Sequence, residues 1–291
     1  MVREIELELT RALGNREFEK PALPLVRAHT LQQLIRRELI LQRLTNRKQA
    51  ATEADIELAI TRLTRQLSRQ EIPLTDYLKK RQMSRADLQR ALRWQLSWEE
   101  FLRHYVTDDN LESFFRDRRA EYDGTQLRVA HILLSVDDDK DKRIRNEELA
   151  RKQTFAKELR QRIVSGELTF TEAARLHSNA PTASSGGEIG LISRHAPMPE
   201  SFSAAAYGLS PRGISEPVTT AFGIHLIRCL EVQPGNKNWQ DVRDELEPAI
   251  ARYLFEWAAG QELPRAQIEF TGNSPHLEPG TDRIIGDTDA H

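Results

Sequence analysis

The hydrophobic period of this chain first changes from helical to strand-like at Asp123-Gly124, and that change limits what it can fold into. Up to about residue 120 the apolar residues recur at helical spacing. After it, "LRVAHILLSV" is a run of branched and apolar residues bounded by turn formers, the pattern of a buried strand. The first part predicts several amphipathic helices. Thr30 is read as the cap of one carrying Leu31, Leu34, Ile35, Leu41 and Leu44. Thr52 with Asp55 opens a second, with Ile56, Ala59, Ile60 and Leu63 on one face. "EIPLTDYLKKRQ" is a short one after a proline. Ser84 with Asp87 opens a longer one that holds Leu88, Leu92, Leu96 and Phe101 together with Trp94 and Trp98, and Thr107 caps "DDNLESFFRDRRAEY". Each stripe must bury itself on a neighbour, so a bundle or an open helical layer is expected.

Beyond the first strand, "RNEELARKQTFAKELRQRIVSG" reads as a helix that stops at Gly166, and "TFTEAARLHS" as a shorter one capped by Thr169 or Thr171. A Ser/Gly loop, "APTASSGG", leads to "EIGLI", then to the short helix "MPESFSAAAYGL", then to strands around "SEPVTT" and "GIHLIRCLEV". The order is β-α-α-β-α-β-β. A last helix, "DVRDELEPAIARYLFEWAAGQEL", presents Val242, Leu246, Ile250, Leu254 and Trp257 as its stripe and continues through Pro248. "AQIEF" is a candidate closing strand, and the Gly-, Pro- and Asp-rich segment 272–291 reads as a disordered tail.

Composition excludes more than it identifies. The chain has 42 basic and 44 acidic residues, so no electrostatic pull towards nucleic acid is expected. One cysteine, Cys229, cannot make an intramolecular disulfide or a thiolate metal cluster. His29, His104, His177, His195, His276 and His291 show no ligand spacing, and no metal or cofactor is expected. "MVREIELELTRALGNREFEK" lacks the apolar core of a secretory signal, and no run is long enough to span a bilayer. As written, the sequence is therefore expected in the cytoplasm.

Four motifs in order, "VAHILL", "GGEIGLI", "MPESF" and "GISEPVTTAFGIHLI", give the second part its identity. In sequence and spacing they resemble the parvulin-type peptidyl-prolyl cis/trans isomerase domain, over about Leu127 to Val232. The flanks are similar to the helical segments of SurA-, PpiD- and PrsA-type chaperone–isomerases. The resemblance implies an α+β fold, a four-stranded antiparallel sheet flanked by helices and inserted into an all-helical domain. The implied boundaries are 124–234 for the isomerase domain and 1–120 with 238–270 for the helical domain. Such proteins often work in the cell envelope, which is the implied location if the N-terminus is incomplete.

The reaction of that family makes no covalent bond. It turns an X-Pro amide through a barrier of roughly 18–20 kcal/mol, one that leaves uncatalysed exchange in the range of tens of seconds. A catalyst needs an apolar socket for the pyrrolidine ring and polar groups suited to the twisted amide. Carried over motif by motif, the resemblance puts Ile189, Met198 and Phe202 in the socket and Phe222 in the groove wall. The competing reading of a Met/Phe pair four residues apart is plain core. The resemblance also puts His131 and His225 face to face on adjacent strands, with the Thr220 hydroxyl joining them. Either this network sets the polarity under the amide, or the two rings simply satisfy each other and fix strand register.

One position departs from the pattern. Ala180 in "SNAPTASSGG" stands where the family usually has Cys or Asp, with Asn179 beside it, so reduced turnover is expected. The place of the family's phosphate-binding cluster is taken by Ser135, Val136 and the acidic Asp137-Asp138-Asp139. Phosphate recognition is therefore not expected, and Lys140, Lys142, Arg143 and Arg145 read as a solvated run. Trp94 and Trp98 read as core or as a domain contact before a client site. The function implied is a foldase that isomerises X-Pro bonds of unfolded or partly folded proteins, with client binding by the helical part. The alternative is a holdase that keeps the parvulin fold as a non-catalytic peptide-binding module. The partners implied are unfolded or proline-containing polypeptides.

Overall fold

The computed structural model describes residues 23–136, 142–195, 197–269, 276–277 and 284–285. The chain divides into two compact units, Met1–Asp108 with Pro248–His291, and Asp109–Glu247.

The first unit is built of helices. They are α1 (Leu23–Asn46), α2 (Glu53–Ser68), α3 (Leu74–Lys80), α4 (Arg85–Tyr105) and most of a helix that begins at Arg243. Capping boxes set two of the starts. Thr52 and Asp55 exchange side-chain and backbone bonds at the head of α2, and Ser84 and Asp87 do so at α4. Thr30 does not start a helix: α1 already begins at Leu23, and the threonine hydroxyl donates to the Val26 carbonyl at 2.8 Å. That backward bond is the other use a helix has for a threonine. Ile40, Leu44, Phe101, Ala258 and Ala259 make one core cluster, with Trp94, Trp98, Leu254 and Phe255 against it. The two indoles stack at 5.5 Å, and Phe255 meets both edge-on. The alanines take the buried place expected of Trp257, which is 39% exposed under the Arg43 guanidinium. Ala266–Glu269 form no strand.

The second unit opens with α5 (Asp108–Asp117) and α6 (Arg119–Tyr122), then β1 (Gln126–Ser135), α7 (Lys142–Val164) and α8 (Phe170–His177). Then come β2 (Glu188–Ser193), α9 (Glu200–Tyr207), β3 (Val218–Thr220) and β4 (Gly223–Gln233), and α10 (Arg243–Glu262) leads out. The fold class is α+β. The sheet has the order β2-β1-β4-β3, and every neighbouring pair is antiparallel. Thr169 caps α8 through a box with Glu172.

Strand alternation divides the sheet's residues between two cores. Ala130, Ile132, Leu134, Ile224 and Leu226 pack with Ala156, Leu159 and Ile163 of α7 and Phe170, Ala173 and Ala174 of α8. Leu127, Val129, Ile227 and Cys229 belong to the second core, with Ile192, Phe202 and Ala206. The long α7 and the short α8 cover one face, and the short α9 covers the other.

Of the tail expected from residue 272, the short strands β5 (His276–Leu277) and β6 (Ile284–Ile285) are described and pair antiparallel. The remainder, residues 1–22 and the acidic run 137–139 with Lys140 lie outside the described residues. Among the described residues no helix is long and apolar enough to cross a membrane.

Candidate active site

The site sits on the α9 face of the sheet. Register places His131 opposite Ile227 and His225 opposite Leu133, so the two histidines are diagonal neighbours on β1 and β4, pointing to the same face. Their rings close the diagonal, with Nδ1 to Nδ1 at 3.2 Å and ring centroids 5.3 Å apart. Both are buried. Nε2 of His225 is 2.8 Å from Oγ1 of Thr220, at the end of β3, and that oxygen accepts the Phe222 N–H at 3.1 Å. The chain His131–His225–Thr220 is therefore continuous.

A contact between two Nδ1 atoms admits one proton, so the accepting ring is neutral and the two rings are not both cations when the bond is made. Two tautomers satisfy it. In one, His131 donates to His225, which donates in turn from Nε2 to Thr220; in the other, both bonds reverse. Electrostatics favours neutrality. Burial, and then the neighbouring His131, push the pKa of His225 down to about 4. Burial also lowers that of His131.

Phe202 of α9 is fully buried and presents its ring edge-on to both imidazoles, at 5.8 Å from His131 and 5.4 Å from His225. Met198, just before α9, and Ile189 of β2 are partly buried against the same cluster. Four of the sequence-derived residues, His131, His225, Thr220 and Phe202, thus meet directly, and Met198 and Ile189 line the apolar side. Ser201 ties α9 to the sheet edge by donating from Oγ to the Thr219 carbonyl at 3.1 Å.

Ala180 and Phe222 stand on flanking loops. Phe222, at the β3–β4 turn, is 61% exposed. The Ser178–Ala180 segment runs along β1 where β2 has ended. The Asn179 amide donates to the Leu133 carbonyl at 2.7 Å, Leu133 N–H donates to Ser178 Oγ at 3.1 Å, and Ser135 N–H donates to Asn179 Oδ1 at 3.0 Å. Asn179 therefore spends its side-chain oxygen on the backbone of β1, and the buried Ala180 brings no polar side chain. Ser178 as a fixing residue was missed in the sequence. Its only signal was a Ser-Asn pair just past a helix end, a pattern common to many turns.

The Gly-Gly pair after this loop has a structural cause. Gly187 accepts the His131 N–H at 2.8 Å, has φ +81, and lies so close that a Cβ there would be 2.2 Å from the His131 carbonyl oxygen. The backbone that carries the first histidine needs glycine beside it.

Comparison with known proteins matches residues 131–231 to the family described as rotamase, the PPIC-type PPIase domain. Among curated proteins, the chaperone SurA of Thiobacillus denitrificans is 38% identical over 154 residues, covering 53% of this chain and 32% of that protein. The foldase protein PrsA of Bacillus subtilis is 29% identical over 178 residues, covering 58% of this chain and 54% of that protein. The chain thus spans about a third of the first relative and about half of the second. Among solved structures, the PrsA peptidylprolyl isomerase of Bacillus anthracis aligns with 83% of this chain and 99% of that one, at 20% identity and a TM-score of 0.40.

Proposed function

We propose, for a chain whose residues 131–231 belong to the PPIC-type peptidyl-prolyl isomerase domain family, that it is a foldase. It turns X-Pro bonds of unfolded or partly folded polypeptides, and a helical domain drawn from 1–120 with 238–270 holds the client. Likeness to SurA and PrsA, a chaperone and a foldase by name, supports the client class. The observation that carries the reading is the adjoining placement of a hydrogen-bonded histidine pair and the Phe202 ring.

In this reading the pyrrolidine ring seats against Met198, Phe202 and Ile189, and Phe222 walls the groove. As the amide twists, nitrogen loses its conjugation and becomes a better acceptor, while the carbonyl oxygen loses electron density. No proton leaves and no bond forms. The neutral His131–His225–Thr220 chain offers hydrogen-bond dipoles beneath the twisted amide without placing a charge in the buried site. Ala180 adds nothing to this polarity, and turnover is correspondingly modest.

The test is exchange spectroscopy on a short Ala-Leu-Pro-Phe-type peptide, with the full chain present. Cis–trans exchange above the uncatalysed rate, lowered in Met198→Ala, supports the reading. Exchange at the background rate, with aggregation of a denatured client still suppressed, leaves a holdase instead, which is the reading Ala180 favours.

A further inference from the structure

Arg194 follows β2 directly, and its guanidinium is almost enclosed, with the side chain 10% exposed. All three of its nitrogens are engaged. Nη1 and Nη2 grip the Glu200 carboxylate at 2.9 and 2.7 Å, and Nε donates to Glu121 Oε2 at 3.2 Å. The Glu200 hydrogen bonds, joined by the Glu200 and Glu121 charges, outweigh burial and raise its pKa further, so the cation is permanent. Glu200 is the first residue of α9, and Glu121 lies on α6. A second contact runs in parallel, with the Tyr122 ring of α6 at 5.6 Å from that of His195.

This fork closes a short loop. Arg194 and Glu200 are its two ends, and Met198 rides between them. The N-cap of α9 is Pro199, which makes no side-chain cap, and the other tie near its start is the single Ser201 Oγ–Thr219 carbonyl bond at 3.1 Å. The far end of α9 is already held, because Tyr207 donates its hydroxyl to the Thr125 carbonyl at 2.6 Å. With Tyr207 at one end and Arg194 at the other, α9 cannot roll on the sheet, and Met198 and Phe202 are presented at a fixed aperture. A bidentate guanidinium–carboxylate pair suits that task because it fixes an angle as well as a distance.

We propose that Arg194 is a positioning residue for the proline socket, holding the Met198 loop and the start of α9 against α6 through Glu200 and Glu121. The inference rests on the isomerase reading for what the socket binds, yet it can be judged apart from catalysis, because peptide affinity reads the socket whether or not the bond turns.

The experiment measures dissociation constants for the same proline peptide by NMR titration, and KM and kcat by exchange, on the full chain carrying Arg194→Gln, Arg194→Lys, Glu200→Gln or Glu121→Gln. R194Q is expected to weaken binding and raise KM about tenfold with kcat within about twofold, the pattern of lost ground-state positioning. R194K is expected to recover less than half of that loss on a logarithmic scale, since an ammonium keeps the charge but not the fork. E200Q and E121Q report the same effect at about threefold each, with little risk to folding. Wild-type affinity in R194Q overturns the inference, as does full recovery in R194K or a loss in R194Q that E200Q and E121Q do not share. A chain that binds the peptide, loses affinity in this series and never accelerates exchange upholds Arg194 while removing the isomerase reading. A wild-type chain that binds no proline peptide removes both.

Discussion

His131 and His225 are bonded nitrogen to nitrogen, Nδ1 to Nδ1 at 3.2 Å, across a diagonal of the sheet and not across a directly facing pair. The facing partners are Ile227 and Leu133, so each ring leans along its strand to reach the other. A diagonal pair of this kind depends on strand register: a one-residue slip of either strand would send its ring to the opposite, α7–α8 face and part the pair. The same bond has room for one proton between the two nitrogens, so it is lost when both rings are cations. Register and protonation are thereby tied to one contact.

Stability should therefore fall in mild acid. The folded His225 titrates near 4, against an ordinary value of 6.5. Between those values the unfolded chain binds more protons than the folded one, so stability is fully present above about pH 6.5 and declines as pH drops towards 4. The slope from one such proton approaches about 1.4 kcal/mol per pH unit. Urea unfolding at pH 7, 6 and 5 measures it, with His225→Asn expected to flatten the profile. Ring-carbon NMR signals of His225 that titrate at 6.5 would contradict the prediction directly.

Met198 and Phe202 are expected to separate under alanine substitution, although sequence reasoning assigns them one role. Phe202 is fully buried, so Phe202→Ala leaves a cavity and should cost about 3–5 kcal/mol of stability. Met198 is only partly buried, and Met198→Ala should cost about 1 kcal/mol or less while weakening peptide affinity several-fold. Denaturation and peptide titration on both variants decide it. Equal losses of stability would make both residues core and leave the socket without its methionine.

Much of this site could be read from the sequence because each part carried a local signature. The capping boxes at Thr52, Ser84 and Thr169 fixed helix starts, and four ordered motifs put the histidines on neighbouring strands. Thr30 misled because a threonine serves a helix start and a helix interior through the same hydroxyl, bonding forward in one and backward in the other. Trp257 misled because helical spacing names a face without saying which residue on it is covered, and Ala258 and Ala259 fill the close approach. Arg194 was illegible for another reason. Its partners lie at positions 121 and 200, and no local rule links an arginine to carboxylates that only the fold brings near.

Gly187→Ala should be among the most damaging single-atom additions in the second unit. The residue sits at φ +81, where an L side chain is strained, and the new Cβ would meet the His131 carbonyl oxygen at 2.2 Å. Strain and displacement together should cost more than about 2 kcal/mol. The His131 amide, bonded to the Gly187 carbonyl at 2.8 Å, should lose hydrogen-exchange protection in the same variant. Gly166 offers the control: it also has positive φ, but no atom lies within 4 Å of a Cβ built there, so its alanine variant should show strain alone.

Ala180→Cys should raise turnover. The position is buried on the loop that runs beside β1, and its neighbour Asn179 is committed to the Ser135 amide, so no side chain of this pair supplies polarity from that direction. A thiol adds a weak donor and acceptor in little more volume than a methyl, and the Ser178–Ala180 backbone bonds to β1 leave it unable to swing far. Because little charge develops on an amide that only twists, the gain should be about three- to tenfold in kcat/KM, well below the 10²–10³ carried by an oxyanion donor. Ala180→Asp is the harsher version: it places a carboxylate in a buried spot and should lower stability even where it aids turnover. Exchange spectroscopy on the two variants beside the wild type measures both effects. If Ala180→Cys leaves kcat/KM unchanged while Met198→Ala lowers it, the polarity that matters comes from the His131–His225–Thr220 chain alone, and the alanine is no handicap.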